Sequence, residues 1–228
     1  MSETGSVAIV AGAGGELGRA TAEKLAATGF TVVGVDRSDA GLKELPSSIR
    51  REAADPTDPT VARGVVDRIA AEVGRPEVLV NPIGMFHPGE AMTATPEDLR
   101  LMIDVNVGTA LWLTQAVVPY LRERGSGSIV HVASRSGLEP TAGLATAAVS
   151  KAALVHLVRV LDLELRPLGI RVNAVAPALI PNAKNRPYLT PDLLGHAVEA
   201  AAIADIIGYL VSVAATPISG AVVPVYGS

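Results

Sequence analysis

Four glycines, Gly12, Gly14, Gly15 and Gly18, lie between an apolar run, Val7 to Ala11, and a helix-forming stretch from about Glu16 to Ala27. A second apolar run, Thr31 to Val35, ends in Asp36-Arg37. These residue types at this spacing suit a dinucleotide. The glycines permit a tight turn and let backbone N–H groups reach a pyrophosphate. The helix N-terminus adds partial positive charge, and the acid accepts hydrogen bonds from ribose hydroxyls. A glycine motif alone is weak, but strand, turn, helix, strand and acid within one βαβ length is a far stronger signal. Asp36 favours NAD over NADP, because a carboxylate repels a 2′-phosphate. Arg37 pulls the other way, since a guanidinium can pair with that phosphate. No basic residue sits inside the glycine turn, which leaves NAD as the expected cofactor and NADP as the second choice.

The elements that must position this turn alternate along the chain. After Asp36 comes a short polar helix near Ala40 to Leu45, then a charged third strand within Ser48 to Asp55. Asp58 can cap a helix over Pro59 to Val73, and Glu77 to Asn81 reads as a buried fourth strand. Thr95-Pro-Glu-Asp98 opens a long helix running to about Arg124. Ile129 to Ala133 is a fifth strand, Thr146 to Pro167 a second long helix, and Ile170 to Val175 a sixth strand. Pro177 to Pro191 reads as an irregular loop, followed by a helix over Ala197 to Val213 and a last strand, Ala221 to Val225. Such alternation predicts an α/β fold: one Rossmann-type, doubly wound parallel sheet of about seven strands with helices on both faces. With no repeats or linker, residues 1–228 are expected to form one domain. Ligands in these sheets bind at the carboxyl ends of the strands. Gly12 to Gly18, Asp36, Asp55, Asn81 to Gly84, Ser134 and Pro177 should therefore face one crevice.

Composition narrows the function classes. Almost half of the 228 residues are hydrophobic, 18% are charged and the formal net charge is −4, so neither nucleic acid nor an anionic membrane is an expected partner. The absence of cysteine excludes disulfides and thiolate chemistry. No apolar run is expected to span a bilayer, and the start lacks the regions of a signal peptide, which implies a cytoplasmic location. Four scattered histidines offer no ligand spacing, so no metal is expected. His131 is expected to be a hydrogen-bonded residue near the sheet end. His87, after the fourth strand, is placed to reach a substrate, whereas His156 and His196 read as packing or surface residues. Trp112 and Leu113 read as core or subunit contact. No Gly-x-Ser-x-Gly elbow supports a serine hydrolase.

Along essentially its whole length the chain resembles the short-chain dehydrogenase/reductase family. Ala11-Gly12-Ala-Gly-Gly-Glu16-Leu17-Gly18 is similar to the family's Thr-Gly-x-x-x-Gly-x-Gly, with Glu16 at the middle glycine. Asp55-Pro-Thr-Asp58 resembles the segment that meets the adenine amine, and Asn81-Pro-Ile-Gly84 stands where the family has Asn-Asn-Ala-Gly. Asn106 falls at the family's helix asparagine, Ser134 at its active-site serine and Lys151 at the lysine of Tyr-x-x-x-Lys. Asn173 and Pro177-Ala178 match the segment after the second long helix. The resemblance implies hydride transfer between NAD(H) and a small carbonyl or alcohol substrate. Ser134 would orient the substrate oxygen, Lys151 would hold the nicotinamide ribose and Asn106 would support a water chain. It also implies a homodimer or homotetramer, pairing the two long helices between subunits.

One departure stands out. Counting back from Lys151 places Ala147 at the family's tyrosine, the proton donor, and no tyrosine lies between Tyr120 and Tyr188. Three explanations remain open at this point. Ala147 is an introduced substitution; or another group donates the proton (water, Ser134, Lys151 or Tyr188); or the fold binds nucleotide and does different chemistry, or none.

Overall fold

The computed structural model describes residues 5–182 and 197–227. Seven parallel strands form one sheet: β1 (Val7–Ala11), β2 (Thr31–Asp36), β3 (Arg50–Ala53), β4 (Pro76–Asn81), β5 (Gly127–Val132), β6 (Ile170–Pro177) and β7 (Val222–Val225), in the order β3-β2-β1-β4-β5-β6-β7. The helices are α1 (Glu16–Ala27), α2 (Asp39–Lys43), α3 (Pro59–Glu72), α4 (Pro96–Ile103), α5 (Thr109–Arg124), α6 (Ala145–Leu165) and α7 (Ala200–Val211). Because successive strand residues point to opposite faces, the same strands build two cores. Ile9, Ala11, Leu79, Ile129 and Val172 pack with Val65, Leu113 and Leu154 of α3, α5 and α6. Ala8, Val10, Val80, Val130 and Val175 pack on the other face with Leu25 of α1 and Ile203 and Ile207 of α7. This is the doubly wound, Rossmann-like sheet the alternation predicts.

β1 sits between β2 and β4, so the chain leaves it in both directions and a crevice opens at the carboxyl ends of β1 and β4. The charged strand β3 is tolerated because it is an edge, and its charges pair there: Arg50 with Glu72 of α3, and Glu52 with Arg68 at 3.1 Å.

Several sequence expectations shift: the fifth strand is Gly127–Val132, not Ile129 to Ala133, and the sixth runs on to Pro177. The short helix is Asp39–Lys43, not Ala40 to Leu45, because the Ser38 hydroxyl accepts the Gly41 N–H and starts the turn one residue early. The long helix from the Thr95 cap is not uniform: Asp104–Gly108 is π-helical between α4 and α5, a widening that sequence periodicity does not signal. The last helix begins at Ala200, not Ala197, since the Val198 N–H bonds to Leu179 O at 2.8 Å and holds that segment extended. Finally, Pro96–Arg124 is long and apolar enough to cross a bilayer by length and composition, against expectation. Half of its most apolar window is buried inside the molecule, where Leu113, Val117 and Leu121 join the core.

Candidate active site

The glycine turn is built by backbone contact. Gly12 has φ of 68°, a left-handed conformation, and a side chain on Gly18 would bring its Cβ within 2.0 Å of Gly12 O. The turn delivers the chain into α1 with Gly15 as its N-cap, and no side chain caps this helix. By contrast, Ser38, Asp58 and Thr95 cap α2, α3 and α4 with side-chain oxygens. The uncapped N-terminus of the 12-residue α1 leaves first-turn N–H groups facing the crevice, which fits an anionic diphosphate. Glu16 in that first turn must keep its carboxylate away from such a group.

Asp36 ends β2 beside the turn. Its Oδ2 accepts the Gly14 N–H at 3.0 Å and its Oδ1 accepts the Ser38 N–H at 2.8 Å, so the carboxylate is fixed between the turn and α2. Gly41 of α2 packs directly on Gly14; sequence reading missed it, because the contact joins segments of unrelated pattern. Arg37 is exposed. Asp55 turns its Oδ1 into its own loop, accepting the N–H and hydroxyl of Thr57. Asn81 is buried and shapes the following turn, its Oδ1 accepting the Ile83 N–H at 3.1 Å.

The second half of the site converges on Lys151. From α6 its ammonium donates to Val132 O of β5 at 2.8 Å. A Cβ on Gly84 would lie 2.8 Å from Lys151 Nζ and 3.2 Å from Asn106 Oδ1, so the turn after β4 closes over both. Asn106, fully buried in the π segment, accepts the Met85 N–H at 2.8 Å and donates to Met85 O and to Ser150 Oγ. The Ser150 hydroxyl donates in turn to Ala147 O. The widened backbone at residues 104–108 carries this asparagine to the loop. Met85 and Ser150 went unnoticed in the sequence because backbone acceptors and helix serines carry no pattern.

Ser134 follows β5 and opens a short 3₁₀ turn, Arg135–Gly137, its Oγ 3.1 Å from Ser136 Oγ. Gly137 lies against the Lys151 backbone so closely that a Cβ there would come within 2.7 Å of it, which seats the Ser134 turn on α6. Arg135 stacks over the ring of Tyr226 at 5.0 Å and pairs with Glu139 at 2.7 Å. Ala147 occupies α6 one turn before Lys151 and is 3% exposed. Pro177 is buried at the end of β6. The crevice therefore gathers Gly12 to Gly18 and Asp36 at one end, and Gly84, Asn106, Ser134 and Lys151 at the other. Tyr188, His196 and most of the Pro177 to Pro191 loop lie outside the described residues.

Burial pushes the Lys151 ammonium down from 10.5 to about 8. His131, fully buried on β5, is pushed down to about 3 by burial and then by the charge of Lys151, and stays neutral. Its Nε2 shares a hydrogen bond with Thr114 at 3.2 Å, as expected of it, while its Nδ1 has no partner among the described residues. His87 turns to Asp98, 3.6 Å away, at the start of α4.

A stability consequence follows from Lys151. Its folded-state pKa is depressed, so the unfolded chain binds more protons between pH 8 and 10.5, and stability rises with pH across that window. Below it, the buried charge costs on the order of 3 kcal/mol. Lys151→Met should therefore raise the Tm of the cofactor-free protein by about 3 °C or more at neutral pH. That gain should fade toward pH 10.5; a gain independent of pH, or none, contradicts the buried-charge account.

The chain is similar to several known proteins. The 3-oxoacyl-[acyl-carrier-protein] reductase of Thermotoga maritima is 31% identical across 100% of this chain and 98% of its own length. A short-chain reductase of Streptomyces niveus is 35% identical over 77% of this chain and 69% of its own. Among solved structures, a 3-ketoacyl-(acyl-carrier-protein) reductase of Brucella melitensis complexed with NADH superposes with a TM-score of 0.92 at 27% identity, covering 98% of this chain and 97% of that one. L-sorbose reductase of Gluconobacter frateurii, complexed with NADPH and L-sorbose, gives 0.90 at 27% identity over 98% and 96%. The family model described as short chain dehydrogenase matches residues 6–191, from the first strand through the segment after β6. On both the sheet and the sequence that fills it, the chain belongs to the short-chain dehydrogenase family.

Proposed function

We propose that this protein binds NAD(H) and transfers a hydride between it and a carbonyl or alcohol substrate, without the tyrosine that the family uses as proton donor. The observation that carries this reading is the convergence of Lys151, Gly84 and Asn106 on one point, with the Ser134 turn seated on the same helix. A pure nucleotide-binding protein has no need to keep there a buried ammonium that, among the described residues, meets no carboxylate. The cofactor would supply the hydride. Gly12, Gly14, Gly15, Leu17 and Gly18 would hold its diphosphate, Asp36 its adenosine ribose and Lys151 its nicotinamide ribose. Ser134 would orient the substrate oxygen. Ala147 stands at the family's tyrosine position and leaves a methyl where a phenol would act.

Relatives named as 3-oxoacyl reductases make a 3-oxo ester the first substrate to try. The test is energy transfer to NADH on adding protein, together with NADH oxidation by ethyl acetoacetate. Binding with turnover supports the reading, and failure to bind NADH ends it. The second reading, nucleotide binding without redox chemistry, draws on the small, enclosed Ala147. Tight NADH binding with no turnover of any carbonyl in a panel would favour it.

Cofactor choice has its own test. Asp36→Ala removes an acceptor for the ribose hydroxyls and should weaken NADH binding by about 10- to 100-fold. NADPH, whose 2′-phosphate the carboxylate repels, should lose much less. Fluorescence titration gives both constants. Equal losses would reduce Asp36 to holding Gly14 and Ser38.

A further inference from the structure

Resting on the oxidoreductase reading above, we propose that Lys151 itself delivers the proton to the substrate oxygen. Its ammonium carries three N–H groups, of which Val132 O takes one, and among the described residues no carboxylate pairs with it. Val132 lies two residues before Ser134, so the ammonium sits beneath the strand end that holds the serine. A small part of Lys151, 7% of its surface, remains accessible.

Among the described residues, the other hydrogen-bearing groups nearby are already engaged. On the Lys151 face of α6, the preceding turn offers only the Ala147 methyl, and the Ser150 hydroxyl is spent on Ala147 O and on the Asn106 amide. The Ser134 hydroxyl can orient an oxygen but is far too weak an acid to give up its proton outright. Tyr226, which approaches the Ser134 turn through Arg135, is raised above its ordinary pKa by burial and by Glu139, to which it is hydrogen-bonded. An ammonium titrating near 8 is well matched to proton donation at neutral pH.

The groups packed against it leave its titration isolated. His131 faces it from β5 and stays neutral, Asn106 from the π segment and Gly84 from the loop carry no charge, and Ser150 does not ionise. In the step, the substrate carbon gains the hydride and its electron pair from the reduced nicotinamide, which leaves oxidised. The carbonyl oxygen takes a proton as one N–H bond of Lys151 breaks. The neutral amine then regains a proton from solvent.

Two measurements test this. In the cofactor-free protein with ¹³C-labelled lysine, one side chain should titrate near pH 8, and that signal should vanish in Lys151→Arg. In turnover of ethyl acetoacetate with saturating NADH, kcat should fall roughly tenfold per pH unit above that pH. Lys151→Arg keeps a cation but cannot release its proton, so at saturating NADH it should lose about 100-fold or more in kcat, and what rate remains should no longer fall above about pH 8. A flat kcat profile between about pH 7 and about pH 10 overturns the proposal without needing any variant. So does an arginine variant that turns over like wild type, which would make a water molecule the donor. If wild type and Ala147→Tyr both bind NADH yet reduce no carbonyl, the oxidoreductase reading falls and this proposal falls with it.

Discussion

Ala147→Tyr is expected to raise the rate of ethyl acetoacetate reduction by about tenfold or more, roughly 1.4 kcal/mol of barrier, because Lys151 already donates the proton and a phenol can only improve on it. Residues 147 and 151 are four apart on α6, so a phenol at 147 would share a helix face with the Lys151 ammonium. That neighbouring charge favours the phenolate and brings its pKa toward the working range. The substitution is not free, because Ala147 is only 3% exposed and a ring must displace what encloses it. The adjoining loop is held by a bridge between Gly89 and Leu144, so opening it should cost about 1–3 kcal/mol of stability. The expected variant is therefore faster and less stable than the parent. Steady-state kinetics beside a thermal melt reads both. A folded, NADH-binding variant with unchanged kcat would show that proton transfer does not limit the reaction, and Ala147 would lose its significance.

Gly18→Ala should do the opposite, abolishing cofactor binding and destabilising the fold. Its Cβ would sit 2.0 Å from Gly12 O and 2.6 Å from Gly12 C, an overlap with backbone that no rotamer relieves. Gly12 cannot easily retreat, since it is already left-handed and closes the turn by accepting the Gly15 N–H at 3.1 Å. The expected cost is about 3 kcal/mol or more, or a Tm lower by roughly 10 °C, with NADH affinity down more than about 100-fold. Gly15→Ala is the internal control. Its Cβ would meet only Gly12 O at 3.4 Å, an ordinary contact, so the melt should barely move. If Gly15→Ala nevertheless weakens NADH, the lost affinity reports close approach of a ligand, not a damaged fold. A normal melt and normal NADH affinity for Gly18→Ala would contradict the turn described here.

Much of the fold is legible in the sequence because its signals are local. Val7 to Ala11 and Glu77 to Asn81 are short apolar runs, as strands covered on both faces must be. Asp58 and Thr95 each precede a proline and cap a helix where the sequence places one. Where local chemistry is ambiguous, boundaries move. Ala197 and Val198 look as helical as their successors, yet they stay extended because Leu179, far away in the chain, offers a backbone partner. The π segment is invisible for a related reason: the weak helix formers of Asp104–Gly108 do not by themselves specify a widened turn, and the widening accompanies the bonds Asn106 makes to Met85 and Ser150.

The residue types and short spacings of this chain were enough to determine the glycine turn, the acid ending β2, the alternation of strands and helices, and the alanine one helical turn before Lys151. Each depends on chemistry within a few positions of the chain. Only the tertiary structure decided that Lys151 reaches Val132 O, that Gly84 and Gly137 close on it from two loops, that Asp36 is tied to Gly14, and that His131 meets Thr114 in the core. Those contacts join residues from 14 to 67 positions apart. They form because the strand order sets β2, β1, β4 and β5 side by side, a pairing that no local pattern encodes.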